Sequence, residues 1–298
     1  MSGKLFATLR TAAPLPLSVL LMAGALGSIG SCGRGRRALT RPAAAVDTAV
    51  QPDRFAQAFG QLGRAHFRGV ARFDAGPDGA TMETVTTETD IWMDDRGNWR
   101  LVELNNKDGG REIVRHGREL AVALRYGKMM RRAAEDPEPL HLLEEGLGAP
   151  FAAWDVIRDV ATVDNFGEET REGRKVLVYK FTKSRHPPKP ASSGDPADRR
   201  GWRRTLSAAS VAGTVVIDKA TGLPLLTDIR ATYSMLRGGT TPMHGAVEVH
   251  TSIEEIGRSP LIARPEAEAF SFRQRTVPEE KALLGGLPRT PSIPRAGP

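Results

Sequence analysis

From His66 to Arg132 the apolar residues recur at every second position, and glycine-containing turns break the pattern at short intervals. A period of two places alternate side chains on opposite faces of a strand, and short turns join neighbours antiparallel, so this stretch can fold only as a locally connected sheet. His66–Phe73 sets Phe67, Gly69, Ala71 and Phe73 on one face, with His66, Arg68 and Arg72 on the other. Met82–Met93 aligns Val85, Thr87, Thr89, Ile91 and Met93. Asp94-Asp95-Arg96-Gly97-Asn98 then makes a turn, and Trp99–Leu104 returns. Glu112–Arg115, Glu119–Arg125 and Lys128–Arg132 follow, separated by turns at Asn105–Gly110, His116-Gly117 and Tyr126-Gly127.

Helical spacing flanks and interrupts this meander. Pro52–Leu62 carries Phe55, Phe59 and Leu62 at i, i+4 and i+7, and Pro139–Gly146 and Pro150–Val163 carry Phe151, Trp154, Ile157 and Ala161 in the same manner. Strands resume at Lys175–Thr182, with Leu177, Tyr179 and Phe181 on one face, then Gly213–Asp218, Leu223–Met235 and Ala246–Ile256. Residues 183–206, with His186-Pro187-Pro188-Lys189-Pro190 and Ser192-Ser193-Gly194, read as a mobile insertion, and 276–298 as a disordered tail. The fold class is mainly β with helices, an antiparallel sheet in a domain over 53–275.

Residues 1–31 read as a secretion signal: Lys4 and Arg10, an apolar run from Leu17 to Leu26, then small residues. The run is shorter than the roughly 20 residues needed to span a bilayer. It ends in Ile29-Gly30-Ser31-Cys32, which resembles the bacterial lipobox. That resemblance implies cleavage between Ser31 and Cys32, a diacylglyceryl group on the thiol and an N-acyl group on the new amino terminus, with no other cofactor. Gly33 after the cysteine, where an aspartate would be a retention signal, resembles proteins sorted to the outer membrane and facing the periplasm. The competing reading is an ordinary signal with a chance cysteine, or an uncleaved anchor, for which Arg34, Arg36 and Arg37 argue. Residues 32–52, rich in Arg, Ala and Pro, read as a flexible linker. Cys32 is the one cysteine of 298 residues, so neither an internal disulfide nor a cysteine zinc site can form.

The formal charge of +7 raises the question of a nucleic-acid partner. It is concentrated in residues 1–41 and 183–204, which leaves about −4 on the remainder. A nucleic-acid face needs basic residues on rigid elements, so none is expected.

The late string Gly213-Thr214-Val215-Val216-Ile217-Asp218-Lys219-Ala220-Thr221-Gly222-Leu223-Pro224, with the lipobox, the opening helix and the interrupted run of strands, is similar to the LolA/LolB-like superfamily, including LppX/LprG-type lipoproteins. The string is also what any hairpin needs: a buried strand, a turn with Asp and Gly, and Pro to open the next strand. The resemblance implies a curved half-barrel sheet wrapped over helices, with an apolar cavity holding a lipid or lipoprotein acyl chain. Cavity candidates are Phe67, Phe73, Ile91, Met93, Trp99, Leu101, Met129, Met130, Phe151, Trp154 and Tyr179; the competing reading is an ordinary packed core and an envelope interaction or sensor module.

Nothing in the sequence points to an enzyme. The G-x-S-x-G elbow, the P-loop, the dinucleotide fingerprint and H-E-x-x-H are absent. His66, His116, His141, His186, His244 and His250 are dispersed, and no metal site is expected. Asp94-Asp95 suits turn chemistry, Glu144-Glu145 a solvated helix face, and Glu88 with Asp90 the wet face of a sheet. Arg131-Arg132 and Arg203-Arg204 suit solubility or lipid headgroups.

Overall fold

Sheet formation begins where the turns are specified by side chains. In the computed structural model, which describes residues 42–131, 139–185, 204–237 and 240–269, the Asp94 carboxylate accepts the backbone N–H groups of Arg96 and Asn98, each at 2.9 Å. It also accepts Asn98 Nδ2 at 2.9 Å and the distant Ile262 N–H at 3.2 Å. Gly97 completes this turn at φ 74°, where a Cβ would strain the backbone.

The elements in chain order are helices α1 (Pro42–Ala49) and α2 (Pro52–Gly60), then strands β1 (Ala65–Pro77), β2 (Glu83–Met93), β3 (Trp99–Asn105), β4 (Gly110–His116), β5 (Glu119–Leu124) and β6 (Met130–Arg131). Helices α3 (Pro139–Gly146) and α4 (Ala149–Ile157) precede β7 (Ala161–Arg171), β8 (Arg174–Lys183), β9 (Ser207–Asp218), β10 (Pro224–Arg237), β11 (Thr241–Glu254) and β12 (Glu268–Ala269). They form one open sheet of 12 strands, ordered β12-β6-β5-β4-β3-β2-β1-β11-β10-β9-β8-β7. All pairings are antiparallel except β12 with β6. Two meanders, β2–β6 and β7–β10, thus meet at the central β1–β11 pair, where Phe67 faces Ile253 and Phe73 faces Val247. The expected fold class, mainly β with helices around an antiparallel sheet, is the observed one: an open sheet with four helices.

Four local expectations are corrected. The stretch expected to be linker through residue 52 carries α1 from Pro42. Proline at a first helical position costs nothing, alanines follow, and Val46, Ala49 and Val50 gain burial that composition alone does not reveal. The helix expected to reach Val163 stops at Ile157, and Thr162 and Val163 join β7, which pairs with β8 up to Ala161↔Lys183. β-branched residues favour that strand once a partner is alongside. β9 starts at Ser207, six residues before the expected Gly213. Lys128–Arg132 narrows to the two-residue β6.

The signal, Ser31, Cys32, the bulk of the insertion (186–203) and the tail beyond Ala269 lie outside the described residues. No helix among the described residues is long and apolar enough to cross a membrane.

Candidate functional site

The inner face of the sheet carries two apolar clusters. One gathers Val46, Val50, Trp154, Ile157, Tyr179, Phe181, Val215, Ile229, Val247 and Val249 from α1, α4 and the β7–β11 side. The other gathers Phe55, Phe59, Phe67, Ile91, Trp99, Leu101, Ile113, Leu143 and Leu147 from α2, α3 and the β1–β5 side. Alternation along each strand decides membership, and the helices supply the cover. The cover is close: α3 ends at Gly146, where a Cβ would run into Leu101 Cδ1 and stand 3.1 Å from Ile91 Cδ1. α1 is fixed by Trp154 Nε1 donating to Asp47 at 2.6 Å.

Between the clusters runs a band of hydroxyls. Thr89, Gly69, Thr251 and Thr227 occupy one cross-strand row over β2, β1, β11 and β10. The three threonines are buried, and Thr227 Oγ1 has no hydrogen-bond partner among the described residues, as is also true of Trp99 Nε1. The row continues through Glu103 to Arg111. Burial opposes the Arg111 charge, but Glu103 at 3.4 Å and Glu145 of α3 at 2.9 Å outweigh it and raise its pKa.

Seven of the sequence-derived candidates, Phe67, Ile91, Met93, Trp99, Leu101, Trp154 and Tyr179, are buried members of the two clusters, and Phe73 and Phe151 pack against one of them. They are therefore divided between two clusters. Met129 and Met130 are half-exposed and belong to neither. Phe55, Phe59, Ile113 and Phe181 were not singled out as candidates. Strand parity could have found Ile113 and Phe181, and the helical spacing Phe55 and Phe59.

The late hairpin string has a structural explanation. Asp218 is buried and accepts Arg174 Nε at 3.1 Å and its terminal nitrogen at 2.9 Å, with Thr221 N and Oγ1 at 3.0 and 2.7 Å. Burial alone would raise the Asp218 pKa; these hydrogen bonds and the Arg174 charge prevail and hold it below the ordinary value. Gly222, at φ 74°, closes the turn.

A separate groove of about 580 Å³ opens on the outer face over β7–β10, walled by Phe166, Arg171, Lys180, Asp228 and Arg230. None of the sequence-derived candidates lines it. Among the described residues, no group of three or more His, Cys, Asp or Glu side chains could hold a metal. His66, His141 and His244 each meet a single carboxylate: Asp90 at 2.9 Å, Glu144 at 3.0 Å and Asp78 at 3.3 Å. Asp90 thus serves an ion pair on the outer face, with Arg68 also near it at 3.5 Å.

Fold and site together define a class: a helix-covered, open antiparallel sheet with an apolar inner face. No protein-family model matches the sequence, and comparison with curated proteins finds no match. Among solved structures, the chain is similar to the lipoprotein LppX of Mycobacterium tuberculosis at 14% identity, covering 72% of this chain and 98% of that one with a TM-score of 0.27. It is similar to LprF of Mycobacterium bovis at 15% identity, covering 74% and 97% with a TM-score of 0.28. A LolA superfamily protein of Nitrosomonas europaea gives 10% identity, 74% and 96%, and 0.24.

Proposed function

We propose that the chain is a lipid-anchored protein of the bacterial cell envelope, held at the outer membrane through Cys32, that binds an acyl chain of a lipid or lipoprotein without catalysing a reaction. One observation carries this reading. Among the described residues, the apolar inner face is covered by four helices of eight or nine residues. Helices this short are marginal alone and are held in place by apolar burial. An acyl chain offers the same contacts, about 0.8 kcal/mol per buried methylene, without demanding polar geometry. The domain architecture on this reading is a removed signal over 1–31, a tether from Cys32 to residue 41, and the sheet domain from α1 onward.

A second reading, an envelope interaction or sensor module with a filled core, is favoured by the nine candidates already packed in the two clusters.

Native mass spectrometry of the membrane-extracted protein separates the two. Acyl mass on Cys32 with a second, non-covalent lipid supports carriage; acyl mass with no second lipid supports the interaction module. Cys32→Ala should move the protein from the membrane to the soluble fraction. Unchanged attachment would overturn the anchor.

A further inference from the structure

The outer-face groove over β7–β10 owes its shape to short residues. β9 lays Ala212, Gly213 and Thr214 along it, between Lys180 of β8 and Asp228 and Arg230 of β10. Register fixes the rows. Val178, Val216 and Leu226 lie abreast on the outer face, with Lys180, Thr214 and Asp228 abreast in the next row. Val178 and Val216 are buried there with Val176, and Leu226 packs against them. The groove is therefore apolar at its base and polar above.

Its wall on the sheet edge is Phe166. The register of β7 on β8 shifts between Asn165 and Gly167, which leaves Phe166 unpaired in a bulge. Bulges at sheet edges re-aim a side chain. Gly167 holds this one at φ 113°, and the Asn165 side-chain oxygen accepts the Gly167 N–H at 2.9 Å. Phe166 is 63% exposed in consequence. The Lys180 ammonium stands 3.5 Å from the centre of its ring.

The charges around the groove select the ligand. Arg171 meets Glu169 at 3.1 Å, and Arg230 meets Asp228 at 3.4 Å and Glu248 at 3.2 Å. Such pairs are neutral together, yet each keeps oxygens and N–H groups for further hydrogen bonds. Lys180 has no carboxylate within ion-pair distance among the described residues. A polyphosphate would find this single uncompensated cation, too little to hold it. An acyl chain would set methylenes against charged walls and desolvate them without return. A sugar ring has a use for every part. Its C–H face packs on the negative face of an aromatic ring and on the apolar base. Its hydroxyls both donate to and accept from groups such as Thr214, Asp228 and Arg230. A carboxylate on the sugar answers Lys180 with a charge-assisted hydrogen bond.

We propose that this groove binds an oligosaccharide whose units carry a carboxylate, with Phe166 as the stacking wall and Lys180 as the anion contact. The site lies on the face of the sheet opposite the two apolar clusters, so it is independent of the lipid-anchor reading and of any acyl chain bound there.

Saturation-transfer NMR of the full chain in detergent solution tests it. Trigalacturonate is the probe, maltotriose its neutral counterpart and tripolyphosphate a polyanion without sugar. Phe166, Lys180 and Arg100 are all exposed, and melting curves establish first that each variant is folded. Trigalacturonate should receive magnetisation chiefly at the C–H protons of one ring face. Phe166→Ala should weaken its binding about fivefold. Lys180→Gln should weaken it about threefold, to the level of maltotriose. Arg100→Gln, which removes an outer-face cation on β3 away from the groove, should leave it unchanged. Absence of transfer to trigalacturonate would overturn the proposal, as would binding indifferent to Phe166→Ala. So would maltotriose bound as tightly as trigalacturonate by the native protein, which would remove the need for a carboxylate. Displacement of trigalacturonate by an equal concentration of tripolyphosphate, or an equal loss in Arg100→Gln, would show mere attraction of anions to the whole face and overturn it too.

Discussion

Asp218 shows how a single carboxylate can specify a hairpin. Its oxygens bind Arg174 on β8 and Thr221 in the β9–β10 turn, so one side chain holds the turn and fastens it to the neighbouring strand. Asp218→Ala leaves Arg174 unpaired in a half-buried position and should cost about 2–3 kcal/mol in urea unfolding at neutral pH. The sign with pH follows from the depressed pKa. A carboxyl lowered in the folded state contributes fully above its unfolded value, near 3.9, and loses that contribution as pH falls through the folded value. The gap between Asp218→Ala and the native protein should therefore close in strong acid; a gap independent of pH would show that the loss is one of packing. Turn chemistry of this kind was readable in the sequence, because Asp and Gly with Thr between them have few other uses in a hairpin. The partner Arg174 was not, since it is 44 residues away and reached only through sheet pairing.

Among elements, strands were more legible than helices. Strand parity is local and survives any context, so the faces of β1, β2 and β3 could be assigned from alternation alone. α1 escaped notice because Pro42-Ala43-Ala44-Ala45 looks like a tether until Val46, Ala49 and Val50 find a surface to cover. β7 escaped because its strand state depends on β8 beside it. The inner-face candidates were legible as apolar and inward-facing, but their division into two clusters was not, since it depends on which helix covers which strands. That cover is testable at two glycines. At Gly60, the end of α2, a Cβ would meet nothing within 4 Å, so Gly60→Ala should stabilise by about 0.5–1 kcal/mol. At Gly146 the same change drives a methyl into Leu101, and overpacking of about 1–3 kcal/mol should exceed the helix-propensity gain of about 1 kcal/mol. Hydrogen exchange should then quicken in α3 while that of α4 stays unchanged.

The whole domain is two meanders sharing one seam. Both clusters draw on β1 and β11: Phe67 and Ile253 belong to one, Ala71, Val247 and Val249 to the other. Neither half keeps its core if the seam opens, so unfolding should be a single transition. Phe67→Ala and Phe181→Ala, one in each cluster, should each lower that same transition by about 3–5 kcal/mol, read by calorimetry. Two separable transitions, each moved by one substitution only, would show the halves to be independent. The central pairing also has a consequence for biogenesis. Residues 66–77 align with 243–254, so the strand that completes the middle of the sheet is synthesised after both meanders. Contacts of such sequence separation form late. A chain emerging from the ribosome therefore lacks its keystone until both meanders have been made, and a nascent sheet without its centre stays open along its middle until β11 arrives.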